Sequence, residues 1–309
     1  MKKNTAVILG NTKLDYSWFV KSYREGLQKN DYEVIDIDYK STPLHQIYSQ
    51  LVLLKPKYVF THLSFHAQVN PIQNVLQMYS DVNTKVGTKF VHTCNDARKT
   101  DRFMGDLRGA FYAAFVGSID MLKNCPPAWN IPVFYAPYSS LCYDEMAKPV
   151  NDLSFKEAVF PGSPGSHPDR KSFLDRLQKE IPIKIFHTQS GTDLRHRTPE
   201  LSASARCILG LCTGYDVRGY LNTRPFQFLG TGACMIMRKF PGMESLIPDD
   251  LYYGFDSYDE TGVNQTVKHY NKICKTNTLP MQQKAFNYIQ QNHSCKVRLA
   301  YVLEKLKDV

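Results

Sequence analysis

Asn222, Thr223, Arg224 and Pro225 stand directly ahead of a short apolar run that ends in a Gly-Thr-Gly turn. Pro225 suits the first turn of a helix, where the missing N–H of proline is not needed, and Asn222 or Thr223 can cap that helix. A helix N-terminus with an arginine beside it is typical of an anion-binding site. The segment therefore predicts a phosphate site, and Gln227, one turn further on, is placed to hydrogen-bond a ribose. The alternative is an ordinary loop–helix–strand connection that binds nothing.

A second candidate segment contains Gly162, Ser163, Gly165 and Arg170, and it separates a short apolar run from a helical pattern. The glycines let the backbone approach a phosphate closely, and the arginine supplies positive charge. The segment matches neither the P-loop pattern nor the Gly-x-Gly-x-x-Gly pattern of dinucleotide-binding folds. It predicts a second set of phosphate contacts, with a plain turn as the alternative.

Candidate acid–base residues lie in the first half of the chain. His62, His66, His92 and Asp96 are all close to the predicted carboxyl ends of strands, where the ligands of α/β proteins bind. Histidine is suited to proton transfer near neutral pH, although a single histidine is more often structural. Their position leaves all four residues open as candidates for the catalytic base.

No metal site or cofactor is predicted. Asp36 and Asp38 form an Asp-x-Asp pair, but they fall inside a predicted strand, whereas metal-binding carboxylates of this kind belong on a loop at the ligand. The eight cysteines form no Cys-x-x-Cys pair, and several lie in apolar stretches, where reduced cysteine acts as a small apolar residue. Neither a zinc site nor a disulfide framework is indicated, and a reducing, cytoplasmic setting fits this pattern.

The elements that position these residues alternate between short β-branched or aromatic runs and helical periods, which predicts parallel α/β sheets. The predicted strands are Ala6–Leu9, Glu33–Asp38, Tyr58–Leu63, Lys89–Thr93, Phe111–Val116 and Val133–Tyr135, then Glu157–Phe160, Ile183–Phe186, Cys207–Leu211, Ala233–Met237 and Leu251–Tyr253. Helices are expected near 168–180, 224–231 and 259–275, with an amphipathic helix at the C-terminus. The pattern predicts two Rossmann-like domains, 1–148 and 149–309, with a ligand in the cleft between them.

The chain of 309 residues carries a net charge of +9, which suggests an acidic partner. Eight Lys and Arg residues between 268 and 309 face only two acidic residues. This stretch is either a solvated face or a surface for nucleic acid, with Lys268, Lys272, Lys296 and Arg298 as the candidate contacts. No apolar run has the ~20 residues of a membrane span, and the N-terminus lacks a signal-peptide core. We therefore expect a soluble, cytoplasmic protein.

The two phosphate-site segments together resemble the CgeB-like branch of the group 1 glycosyltransferases. The resemblance rests on Gly162-Ser163 with Arg170, and on Arg224-Pro-Phe-Gln-Phe-Leu-Gly-x-Gly-Ala. It also includes Asn95-Asp96-Ala-Arg98 and the segment from His293 to Arg298, and it extends over residues 80–300. Members of this family have the GT-B fold, in which two Rossmann-like domains face each other.

The resemblance implies a hexosyltransferase-type enzyme that needs no metal and uses a nucleotide-sugar, with a UDP-sugar expected, as its co-substrate. The C-terminal domain would bind the donor, and the N-terminal domain would bind most of the acceptor. The donor-binding residues implied are Gly162, Ser163, Arg170, Thr188, Asn222, Thr223, Arg224 and Gln227. Arg224 also carries a catalytic role. Asp96 is the preferred catalytic base because it lies in the family-like segment Asn95-Asp96-Ala-Arg98, and His62 is the further catalytic candidate. Gln227 stands where the family has a glutamate that holds the ribose.

The acceptor is a hydroxyl group whose identity the motif does not specify. The basic C-terminal helices and the cytoplasmic character favour DNA with hydroxymethylated pyrimidines, of the bacteriophage kind, with Arg98 as a further contact. The target base would then have to be flipped out of the duplex. The alternatives are a protein, polysaccharide or small-molecule acceptor, and a non-catalytic nucleic-acid-binding protein on the same scaffold.

Overall fold

The structure, a computed structural model, describes residues 4–11, 18–63, 69–94, 105–150, 152, 154–186, 197–211 and 217–309. The chain divides into two compact units. The first unit is Met1–Leu141 together with Cys295–Val309, and the second unit is Cys142–Ser294. Each unit has its own parallel sheet. Among the described residues, no helix combines the length and the apolar character that crossing a bilayer requires.

The first unit is built on a six-stranded parallel sheet in the order β2-β1-β3-β4-β5-β6. Its strands are β1 (Asn4–Gly10), β2 (Tyr32–Asp38), β3 (Tyr58–Thr61), β4 (Lys89–Cys94), β5 (Ala113–Val116) and β6 (Val133–Tyr135). Its first helices are α1 (Trp18–Gln28), α2 (Leu44–Leu54), α3 (Ile72–Val86) and α4 (Ile119–Lys123). Central strands are buried on both faces, as expected for parallel strands covered by helices. The chain reverses direction across the sheet between β1 and β3, which makes this a topological switch point.

The second unit repeats that strand order in a five-stranded parallel sheet, β11-β10-β9-β7-β8. The strands are β7 (Ala158–Pro161), β8 (Ile183–Phe186), β9 (Cys207–Gly210), β10 (Met235–Arg238) and β11 (Tyr253–Phe255). The helices are α5 (Pro168–Leu177), α6 (Thr198–Ser204), α7 (Thr223–Leu229), α8 (Glu260–Lys275) and α9 (Leu279–His293). Its switch point lies between β7 and β9. The expected fold class, two Rossmann-like α/β sheets, is confirmed.

The final helix, α10 (Cys295–Lys305), packs on the first unit. Its residues Leu299 and Val302 are fully buried in the same apolar cluster as Ile8 and Phe60. A Cβ on Gly26 of α1 would lie 2.6 Å from the Cys295 carbonyl oxygen, so only glycine lets the two helices approach this closely.

The predicted domain 149–309 therefore needs a correction, because it assigned the C-terminal helix to the second unit. The chain also enters the second unit at Cys142 rather than after residue 148. An amphipathic pattern shows that a helix packs, but it does not show on which sheet. The strand predicted at 251–253 is also shifted: Asp249–Leu251 is a 3₁₀ turn, which Pro248 begins, and the strand follows at Tyr253.

Candidate functional site

The switch point of the second sheet lies where β7 and β9 end. The chain leaves β7 at Pro161, and the N–H of Gly162 donates to the carbonyl of Phe186 at the end of the neighbouring β8, at 3.0 Å. A 3₁₀ turn, Pro164–Ser166, then leads into α5, which has Pro168 in its first turn. The glycine-containing segment is therefore a short loop across the carboxyl edge of the sheet, where ligands of such folds bind.

Arg170 ties together the loops that follow β7 and β9. Its side chain is 6% exposed, and its guanidinium donates to the carbonyl of Ser163 at 2.5 Å and to that of Leu211 at 3.4 Å. The two carbonyls lie on opposite sides of the switch point. Because a buried charge is stabilised only when it is hydrogen-bonded, Arg170 both fixes the loop geometry and places positive charge beneath it.

A second guanidinium reaches the same place from α7. The guanidinium carbon of Arg224 lies 5.7 Å from the centre of the Phe160 ring, and that of Arg170 lies 5.5 Å from it. Both distances are within the range of cation–π attraction, ~6 Å. A Cβ on Gly162 would come within 2.9 Å of the Phe160 ring and 3.2 Å of Arg224 Nη2, so any larger residue would force one of these side chains to shift. Two positive side chains thus converge beside one glycine loop.

The residues around Arg224 are held by an N-terminal cap. Asn222 Oδ1 accepts from the backbone N–H of Arg224 at 3.0 Å, which makes Asn222, of the two candidates, the cap of α7. The other end of the helix is fixed by Gln290 of α9, whose amide donates to the carbonyl of Gly230 at 2.8 Å. Ser163, Asn222, Thr223 and Arg224 keep partly exposed surface. These are the polar groups that a ligand at the edge can reach.

Gln227 lies deeper than the sequence suggests. Its side chain is only 1% exposed, and its backbone carbonyl accepts from the hydroxyl of Thr231 at 3.1 Å. A ribose can reach the amide only if neighbouring groups move aside. The role of Gln227 in ribose binding stays a prediction.

The corresponding edge of the first sheet is lined by histidines. His62 follows β3 and is mostly buried, and its ring meets that of His92 edge-on, with 5.6 Å between the ring centres. His92 is enclosed by Phe111 and Trp129, and burial lowers its pKa to about 4. His92 is therefore a neutral core residue at pH 7. His66, Asp96, Arg98 and Thr188 lie outside the described residues.

The lysines proposed for DNA binding are exposed on α8. Lys268 and Lys272 belong to a helix that begins after β11, at the carboxyl edge. Its 16 residues extend for about 24 Å towards the opposite edge of the sheet. Two residues before Lys272, the hydroxyl of Tyr270 donates to the carbonyl of Lys156, which lies just ahead of β7, at 3.2 Å. Lys272 is therefore at the edge of the second unit that faces away from Gly162 and Arg224.

The other two predicted DNA contacts lie on α10, in the first unit. Lys296 is exposed, and its carbonyl accepts from Asn30 at 2.9 Å. Arg298 is half-buried, and burial lowers the pKa of its guanidinium, while Tyr135 opposes this shift. The structure thus divides the basic C-terminal stretch between two units, and it places the guanidinium of Arg298 beside tyrosines rather than in an exposed position.

The carboxyl edge of the second sheet becomes acidic towards β11, a feature that the motifs did not predict. A cavity of about 460 Å³ lies there. Its lining residues are Lys239, Phe240, Met243, Glu244, Asp249, Tyr252 and Asp256. Three carboxylates and one lysine disfavour an anion. A phosphate therefore fits the Arg170 and Arg224 end of this edge, not the β11 end.

No protein-family model and no curated protein sequence matches the chain. Solved structures do match over its whole length. A glycosyltransferase from Rickettsia africae is 12% identical with a TM-score of 0.60, covering 100% of this chain and 99% of its own. Sucrose-phosphate synthase from Thermosynechococcus elongatus is 9% identical with a TM-score of 0.66, covering 99% and 100%. Anabaena HepE in complex with UDP-glucose is 10% identical with a TM-score of 0.61, covering 100% of both chains. This chain has the GT-B fold of glycosyltransferases.

Proposed function

We propose that this protein transfers a sugar from a nucleotide-sugar, with a UDP-sugar as the first candidate, to a hydroxyl group of an acceptor. The observation that carries the proposal is the convergence of Arg170 and Arg224 on Phe160 beside Gly162. That arrangement lies at the switch point of a sheet in a GT-B fold, and a protein with a similar fold has been solved with UDP-glucose. The closer likeness to the CgeB-like branch stays part of this proposal.

The two arginines have different roles in the proposed site. Arg170 is buried and holds the loops after β7 and β9, so it positions the backbone that meets the diphosphate. Arg224 is partly exposed beside Gly162, so its guanidinium can contact the diphosphate directly. Ser163, Asn222 and Thr223 offer further hydrogen-bonding groups at the same edge.

The reaction separates charge at this site. The bond between the sugar carbon and the diphosphate oxygen breaks, the acceptor oxygen bonds to that carbon, and the acceptor proton passes to a base. The leaving nucleoside diphosphate keeps the electron pair of the broken bond and becomes more negative. A guanidinium already in place stabilises this charge better in the transition state than in the ground state. We propose that Arg224 supplies this stabilisation and that no divalent metal is needed, with Asp96 or His62 as the base.

For the acceptor we favour a sugar-like or other hydroxylated molecule over DNA. DNA with hydroxymethylated pyrimidines was suggested by the basic C-terminal stretch. However, Lys272 follows Tyr270, which contacts Lys156 at the amino edge of the second sheet, so phosphates bound there would not bring a flipped base to Arg224.

The DNA hypothesis predicts binding that weakens steeply with salt. In that case Lys268→Gln combined with Lys272→Gln should flatten the salt dependence, by about 0.9 in slope for each phosphate that the double variant no longer neutralises. Exposed Lys179 and Lys184, changed in the same way, serve as the control pair.

The decisive experiment measures donor binding and donor hydrolysis together. UDP should raise the melting temperature, and UDP-sugars should be hydrolysed slowly in the absence of acceptor, with and without EDTA. Arg224→Ala should weaken the stabilisation by UDP and slow the hydrolysis on the order of 10²-fold or more, whereas Arg206→Ala should keep both, because Arg206 is exposed at the amino end of β9. No binding of any nucleoside diphosphate by the wild type would reject the proposal. Activity that EDTA removes and Mg²⁺ or Mn²⁺ restores would reject the metal-independent mechanism alone.

A further inference from the structure

The Asp-x-Asp pair lies at the end of β2, next to the switch point of the first sheet. Asp38 is the last residue of β2 and pairs in register with Gly10, the last residue of β1. Side chains alternate along a strand, so Asp36 and Asp38 share one face. Asp36 accepts from Arg24 Nε of α1 at 2.7 Å. Asp38 therefore also faces the α1 side of the sheet, at the carboxyl edge.

The two carboxylates differ in how their charge is satisfied. Asp36 forms an ion pair with Arg24 through its Oδ2, although its Oδ1 is buried without a hydrogen-bond partner among the described residues. Among the same residues, Asp38 has no such cationic partner. Asp38 is 8% exposed, and its Oδ1 accepts from the N–H of Lys40 at 2.9 Å. Its Oδ2 is buried, and within the described part of the chain it has no hydrogen-bond partner. A buried carboxylate oxygen that has lost water without a replacement is destabilising, so it needs an explanation such as a ligand.

The location narrows the ligand class. α1 connects the end of β1 to the start of β2, so it begins at the carboxyl edge where Asp38 lies. In nucleotide-binding α/β folds, an acidic residue downstream of the first strand and its glycine-rich turn accepts hydrogen bonds from ribose hydroxyls. A carboxylate oxygen repels phosphate and attracts O–H donors. A bound cation would need several oxygen ligands, whereas the charge of the other carboxylate on this face, Asp36, is already neutralised by the guanidinium of Arg24.

We propose that Asp38 binds two neighbouring hydroxyl groups of a sugar ring, in a second ligand site at the carboxyl edge of the first sheet. The ring is either a hexose or a ribose, since both present the same pair of O–H donors. Identifying this ring with the acceptor rests on the proposed glycosyltransferase function. The binding itself does not, because it needs neither donor nor turnover.

Saturation-transfer NMR on the full chain, without donor, tests the site directly. One arm uses the methyl glycosides of glucose, galactose and mannose as probes. The other arm uses adenosine, with 2′,3′-dideoxyadenosine as the matched ligand that lacks the hydroxyl pair. We expect binding in one arm, retained in Glu33→Ala and weakened about tenfold or more in Asp38→Ala, because a hydrogen bond to a charged group is lost. Glu33 is the control because it is exposed on the same strand.

A second variant separates binding from folding. Asp38→Asn keeps the shape of the side chain and removes the buried charge. It should raise the melting temperature by a few degrees and weaken ring binding at the same time. A residue with a purely structural role would not give this combination. Donor-only hydrolysis by the wild type and by the control Glu33→Ala should proceed at the same rate, so a failure of the donor chemistry is seen separately from a failure of ring binding.

Three results would overturn the assignment. The first is that the wild type binds neither hexosides nor nucleosides at tens of millimolar. The second is that adenosine and its dideoxy analogue bind equally well while no hexoside binds. The third is that a folded Asp38→Ala variant binds the ring as well as the wild type does. Binding of hexosides alone identifies a saccharide site, and binding of adenosine alone identifies a nucleoside site. Both of these support the hydroxyl-pair chemistry.

Discussion

The two sheets of this protein have the same order over their first five strands but opposite chemistry at their switch points. In the second unit, the strand ends lead into a glycine loop flanked by Arg170 and Arg224. In the first unit, the equivalent edge carries the packed rings of His62 and His92 and the carboxylate of Asp38. We therefore propose that the topology determines where a ligand binds in each unit, and that the residues after each strand select an anion in the second unit and a neutral ring in the first.

The largest expected effect concerns His92, at the carboxyl edge of the first sheet. Because burial lowers the pKa of His92 to about 4, the unfolded chain takes up this proton at a higher pH than the folded chain. The contribution of neutral His92 to the free energy of unfolding is therefore fully present above the ordinary histidine pKa of ~6.5. It is lost as the pH falls towards 4, by up to roughly 3 kcal/mol. Melting temperatures between pH 4 and 8 should show this loss in the wild type.

His92→Gln should remove that part of the pH dependence. The exposed His45, changed to Gln, is the matched control and should leave the wild-type profile unchanged. If the melting temperatures of the wild type and of His92→Gln fall equally between pH 8 and pH 4, His92 is not the buried, neutral residue that its packing indicates.

The second prediction concerns Arg224, at the carboxyl edge of the second sheet. Arg224→Ala should lower kcat on the order of 10²-fold or more, because a charge that stabilises the leaving group in the transition state is lost. Steady-state kinetics with varied donor measure this effect, with Arg206→Ala as the control. A folded Arg224→Ala variant with near-wild-type kcat would remove the proposed contrast between the two edges.

The third prediction uses two glycines of one loop. A Cβ on Gly162 would lie 2.9 Å from the Phe160 ring and 3.2 Å from Arg224, whereas a Cβ on Gly165 meets nothing within 4 Å. Gly162→Ala should displace Arg224 and raise the donor KM by about tenfold, the effect of ~1.4 kcal/mol. Gly165→Ala should behave like the wild type. Equal kinetics for the two variants would show that the close approach at Gly162 has no part in donor binding.

The smallest effect is expected at Gln227. If its amide binds a ribose, Gln227→Ala should raise the donor KM by the ~1 kcal/mol of a neutral hydrogen bond and leave kcat unchanged. Gln227→Glu should keep donor binding, since the family it resembles has a carboxylate there. If Gln227→Glu instead lowers the melting temperature and leaves KM unaffected, Gln227 is a core residue that does not contact the donor. Its 1% exposure would then explain why a charged side chain destabilises the fold.

The sequence predicted the fold class and the two glycine- and arginine-containing segments, because runs such as 158–161 and 235–237 are apolar enough to be buried on both faces. It did not show that both segments meet at Phe160, since that contact joins residues 160, 170 and 224 through the strand order. Helix α9 was not predicted, because its polar residues, several of them glutamines, leave only a weak apolar stripe. The strand end at Asp38 was predicted correctly. The burial of its Oδ2 without a hydrogen-bond partner in the described part of the chain could not be predicted, because it depends on which distant residues pack around the carboxylate.

The return of α10 to the first unit has a consequence for biosynthesis. The second unit, Cys142–Ser294, is continuous in sequence, whereas the first is completed only by residues from Cys295 onwards. On the ribosome, the face of the first sheet that Leu299 and Val302 cover therefore stays without α10 until the whole second unit has been synthesised. The unit that is synthesised first is thus the one that matures last. Its nascent form exposes apolar surface of the kind that chaperones protect.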